Sequence, residues 1–145
     1  NELWGSVPEQ IRPYYTICMI LAAIGYFFFT GYILQYVSFN TNQIFGRYDF
    51  TIINLLFACI LIPSAMWIYM TFAMITNPSL QLWLGIRLVL FIVGFSSVGL
   101  LAAFSLSDFD KGSWAYYAGV IGLIPFSIQT MILDAIVWPY YFPIK

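Results

Sequence analysis

Residues 80–104 read LQLWLGIRLVLFIVGFSSVGLLAAF, an apolar run whose single charge is Arg87. At about 1.5 Å per residue such a helix outspans a hydrocarbon core of about 30 Å. This stretch therefore predicts a transmembrane helix, and three other runs resemble it. The four spans fall at 14–37, 50–76, 80–104 and 114–141. Strands are excluded as an alternative, because too few could form to close a barrel and lipid leaves no sheet edge unsatisfied. The expected architecture is an all-α membrane protein: one domain over 1–145, with four transmembrane helices in an antiparallel bundle joined by short connections.

Composition points the same way. Of 145 residues, 62% are hydrophobic, 21% aromatic and 8% charged. A soluble domain carries about 25% charged residues to solvate its surface. The net charge of −1 offers no basic patch for nucleic acid. Histidine is absent, which removes His-ligated metals, bis-histidine haem and a histidine base. No cofactor, metal site or catalytic residue is expected. Walker, nucleophile-elbow, HExxH and CxxC patterns are all missing. Cys18 and Cys59 fall at depths roughly 15 to 20 Å apart, too far for a disulfide.

The boundaries carry recognisable punctuation. Ser6-Val7-Pro8-Glu9 has the form of a capping box and suggests an interfacial turn, after which Arg12-Pro13 restarts the helix. Asn77-Pro78 separates spans two and three by so few residues that they must form an antiparallel hairpin, with Asn77 expected as the N-cap. Residues 35–49 form the longest connection, with Arg47 and Asp49. Asp108 and Asp110 share the last turn. With the N-terminal side of the membrane called A and the other side B, Arg12, Lys145 and Arg87 lie towards A, and Arg47 and Lys111 towards B. The positive-inside rule leans to cytoplasmic termini. Trp4, Trp83 and Trp138 on side A and Trp114 on side B are expected as interfacial anchors.

Two charges fall deep inside the spans. Arg87 lies about seven residues into span three, and Asp134 about seven from the end of span four. Both sit about 10 Å below the A interface. Antiparallel neighbours at equal depth can pair, which would relieve the cost of burying either charge alone. Thr130 shares the Asp134 face at i−4, whereas Gln129 is five residues away, about 140° around an α-helix. Trp67 and Thr71 are one turn apart at similar depth. Arg87, Asp134, Trp67, Thr71, Gln129 and Thr130 are thus the candidate ligand or ion residues. Pro63 and Pro125 each remove a helix hydrogen bond in mid-span. Asn54 and Ser96-Ser97 are candidates for interhelical hydrogen bonds. Gly99 with Ala103, and Ala118 with Gly122, form small-residue faces suited to packing spans three and four or to docking another chain.

Tyr117-Ala118, Leu123-Ile124-Pro125-Phe126, and the preceding Asp108-Phe109 and Lys111 are similar to a short stretch of the four-helix sterol isomerase and sigma-2 receptor family. That resemblance implies a membrane-open pocket for sterols or amphipathic amines. Span one lacks the family's acidic residue and span two has none beside Cys59, so the acidic centre would fall on Asp134. Small multidrug transporters also have four spans but depend on a carboxylate in span one.

The leading expectation is a non-enzymatic polytopic membrane protein. It would be an accessory subunit or homo-oligomer acting through helix packing, with the lipid bilayer and a protein partner or second copy as its contacts. The alternative is a transporter or a binding protein for a hydrophobic small molecule such as a sterol or lipid, centred on Arg87 and Asp134. A third reading is a lipid-modifying enzyme using Asp134.

Overall fold

A computed structural model describes residues 2–36, 51–107, 109 and 111–142. Four helices in it are long and apolar enough to cross a membrane. They are α1 (Arg12–Tyr36), α2 (Thr51–Thr76), α3 (Leu80–Ser105) and a fourth span, Trp114–Tyr141. The fourth span has three parts: α4 (Trp114–Ser127), a π-helical segment (Ile128–Val137) and α5 (Trp138–Tyr141). Among the described residues there is no strand. The protein is an all-α, multi-pass membrane protein built as a four-helix bundle. The connection that holds Arg47 and Asp49, and the residues Asp108, Asp110 and Lys145, lie outside the described residues.

The span boundaries match the apolar runs within one or two residues. Two details differ. Ser79, not Asn77, caps α3: its side chain accepts from the Leu82 N–H at 3.2 Å. Asn77 instead closes α2 by donating its backbone N–H to the Ala73 carbonyl at 2.8 Å. The residues before α1 also build no capped helix at Ser6. They form a 3₁₀ turn, Glu2–Trp4, and then a strap that folds back under the bundle. The Ser6 N–H bonds the Tyr141 carbonyl at 2.9 Å, and the Val7 side chain is buried.

Helix neighbours run in the spatial order α1, α4, α3, α2. The most buried span is α3, half of whose apolar window is buried, against 17% for α2. Large apolar side chains such as Phe27, Leu34, Leu55, Leu88 and Ile121 point outwards over most of the bundle. This is the arrangement expected when the solvent is hydrocarbon.

The pairing of α1 with α4 turns on two glycines. A Cβ added at Gly25 or at Gly122 would overlap the other residue's backbone. Only glycine permits this approach. Gly122 of span four therefore serves span one, whereas Gly119 lies nearest the Phe104 ring of α3. In α3, Gly99 faces Leu56 of α2, and Gly94 lies under Met131 and Thr130 of the π segment.

The B-side half of the bundle is an aromatic core. The Phe104 ring lies 4.9 Å from Phe29, 5.4 Å from Tyr32, 5.2 Å from Tyr116 and 5.3 Å from Phe109. Edge-to-face and offset contacts of this kind contribute about 0.5–1.5 kcal/mol each beyond the area they bury. Tyr26 and Phe29 also reach across to Phe57 of α2, at 5.9 and 5.6 Å. They tie α1 to α2 here, although the two helices do not pack side by side along their length.

Candidate functional site

Towards side A the described residues leave a gap between α1 and α2. It opens into a cavity of about 640 Å³. Tyr15, Met19, Ala22 and Tyr26 of α1 form one wall, and Ile60, Ser64 and Trp67 of α2 the other. Span four supplies Phe126, Gln129, Thr130, Asp134 and Trp138, and Leu3 and Trp4 of the strap close the A end. The rim residues Met19, Phe27 and Leu61 are 52%, 75% and 55% exposed. The mouth therefore faces the hydrocarbon between α1 and α2, and the water side is covered.

The cover is held by polar contacts. The Trp138 indole N–H donates to the Leu3 carbonyl at 2.9 Å. Trp4 packs edge-on against Tyr15 at 5.7 Å, and Arg12 donates to the Val7 carbonyl at 3.1 Å. Trp138, expected as an interfacial anchor, is only 6% exposed and stacks on Phe142 at 4.5 Å. The strap covers it, a non-local fold-back that local pattern does not reveal.

Asp134 is the carboxylate of the cavity wall. Its partner is Gln129, whose amide donates to Asp134 Oδ1 at 2.8 Å. An α-helix would hold these residues well apart. The π register, with about one residue more per hydrogen-bonded turn, brings i and i+5 together. Several features accompany the π segment. Pro125 and Pro139 lack the N–H that an unbroken ladder needs at either end. Ser127 Oγ donates to the Ser97 carbonyl at 3.2 Å, and the Ser97 and Thr130 hydroxyls lie 2.6 Å apart. Tyr15 Oη donates to the Leu133 carbonyl at 2.8 Å. These bonds fix the polar side of the cavity against both α1 and α3.

Arg87 does not join this group. Its guanidinium lies 4.8 Å from the Trp83 ring centroid and 5.9 Å from that of Phe91. The ion pair recorded among the described residues is Arg12 with Glu9 at 4.0 Å. Equal depth does not produce pairing because side chains slope towards the N-terminus of their helix. Span three starts on side A, so Arg87 leans up towards the interface. Span four starts on side B, so Asp134 leans down towards the bilayer centre.

The remaining candidates divide. Trp67 lines the cavity and meets Trp138 edge-on at 5.8 Å. Thr71 is fully buried one turn further on and does not line it. Trp67 Nε1, Gln129 Oε1 and Thr71 Oγ1 are buried without a hydrogen-bond partner among the described residues. Asn54 is exposed, and Ser97 takes Thr130 as its partner. Cys18 is a free thiol whose Sγ lies 3.6 Å from the Pro125 carbonyl. Sequence reasoning missed Tyr15 as an anchor of the π segment, and Tyr26 and Phe126 as walls, since aromatics are common throughout the chain.

No known protein family, curated protein or solved structure matches this chain.

Proposed function

We propose that this membrane protein binds a hydrophobic molecule drawn laterally from the bilayer, with the molecule's single polar end held at Asp134. The observation that carries the reading is the 640 Å³ cavity, which combines a lipid-facing mouth with one carboxylate, accompanied by Ser64, Gln129 and Thr130, in a wall that is elsewhere aromatic and aliphatic. Ligand sites are typically concave, largely apolar and furnished with a few convergent polar groups, and this volume suits a drug-sized or sterol-sized molecule.

The wall also selects the head group. Asp134 is an acceptor, and among the described residues no Lys or Arg lines the cavity to balance it. A head that donates hydrogen bonds is favoured, and a positively charged amine most of all. Trp4, Tyr15, Tyr26, Trp67 and Trp138 line the cavity, and aromatic rings attract such a cation. A fatty acid would place a second carboxylate beside the first.

A role through packing against a partner or second copy drew on extramembrane parts too small for a soluble active site, on the lack of a histidine base, and on helix faces rich in aromatic and small residues. Gly25, Gly94, Gly99 and Gly122 face other helices of the same chain, which leaves that reading with less support. The test is binding of three probes of equal chain length to protein in detergent: a long-chain amine, the alcohol and the carboxylic acid. The amine is expected to bind tightest and the acid weakest, and Asp134→Asn should remove most of the difference between amine and alcohol. Equal binding of all three, unchanged by Asp134→Asn, would sink the proposal.

A further inference from the structure

Arg87 is left unused by the cavity, and its surroundings are specific. It sits about 10 Å below the A interface on the flank of α3 that borders span four, half-buried between Trp83 and Phe91. No carboxylate pairs with it among the described residues. Its five N–H donors have no recorded hydrogen-bond acceptor there. A guanidinium in hydrocarbon without an anion is costly, so it must draw one to itself or rise to meet one. The side chain does rise: it lies closer to Trp83, one turn nearer side A, than to Phe91. Trp83 is itself fixed, because its indole N–H donates to the Phe142 carbonyl at 3.2 Å. The ring is therefore a set platform that holds the guanidinium plane beneath the headgroup layer. Beside it, Leu84 and Leu88 are exposed, 53% and 62%, and offer an apolar track for an acyl chain.

We infer that Arg87 and Trp83 form a phospholipid site on that flank of α3, at its lipid-facing edge, in which the lipid phosphate of the A leaflet takes the guanidinium fork. Arg suits this role because its planar donors match phosphate oxygens two at a time and its face stacks on an aromatic ring. The site is separate from the cavity, whose lining does not include Arg87.

The test uses the full chain, stripped of lipid in a neutral detergent and examined by native mass spectrometry. Phosphatidic acid and diacylglycerol with identical chains are added in turn. Retention of phosphatidic acid is expected to exceed that of diacylglycerol by about tenfold. Arg87→Gln should abolish the difference, while Arg12→Gln should leave it in place. Inorganic phosphate at millimolar concentration should not displace the lipid, since the acyl track adds to binding. Equal retention of the two lipids by the unaltered protein overturns the inference, and this comparison stands even where Arg87→Gln folds poorly. A preference that survives in folded Arg87→Gln, or is lost to free phosphate, overturns it as well.

Discussion

Gly122→Ala tests the α1–α4 contact at its closest point. The new Cβ would meet the Cα, carbonyl carbon and oxygen of Gly25, all backbone atoms held in a helix. No rotamer change can make room, so the two helices must separate. Overpacking of this kind costs about 1–3 kcal/mol, and rigid neighbours on both sides place it near the top of that range. Replacing a helical glycine with alanine returns up to about 1 kcal/mol of helix propensity. The net loss is about 2 kcal/mol, roughly a 30-fold fall in the folded-to-unfolded ratio. Gly31→Ala in the same α1 is the control: an added Cβ there meets nothing within 4 Å. It should stabilise the protein by about 0.5–1 kcal/mol. Equilibrium unfolding by sodium dodecyl sulfate in mixed micelles, followed by tryptophan fluorescence, reads both. If Gly122→Ala proves as stable as Gly31→Ala, the helices do not meet backbone to backbone and the reasoning is wrong.

Gln129→Leu keeps much of the side-chain volume but removes the donor to Asp134. It should cost about 1.5–3 kcal/mol in the same unfolding assay, the range for a hydrogen bond to a charged group, whereas a change under 0.5 kcal/mol would mean the π register does not hold the pair. Trp138→Phe keeps a ring over Phe142 and deletes the N–H that holds Leu3. Hydrogen exchange at residues 3–7 should quicken several-fold while exchange in α3 stays unchanged; uniform exchange across both would show that the strap is not fastened there.

The four spans were legible because span length and apolarity are properties of the chain alone. Proline and short polar connections then set the ends, as at Thr76 and Leu80. The site was legible only in part. Asp134 and Thr130 both line the cavity. Gln129 was a candidate but read as less well placed, because the angle was counted on an α-helix, and nothing in IQTMILDAIV announces a π register. That register goes with contacts to Ser97, Gly94 and Tyr15, residues distant in sequence. The Arg87–Asp134 pairing was expected from Cα depth alone, and the opposite slopes of side chains on antiparallel helices undo it. The cavity has no sequence signature, because it exists where α1 and α2 fail to pack.

The most direct measurement is photolabelling of the purified protein in lipid nanodiscs with a long-chain amine that carries a diazirine near its head, followed by peptide mapping. Label is expected on residues lining the cavity, Tyr15, Trp67 and Trp138 among them. It should fall sharply in Ser64→Trp, whose indole would occupy the space. Label spread evenly over outward-facing residues such as Leu34, Leu88 and Ile121, and unchanged by Ser64→Trp, would contradict a ligand-binding cavity in this bundle.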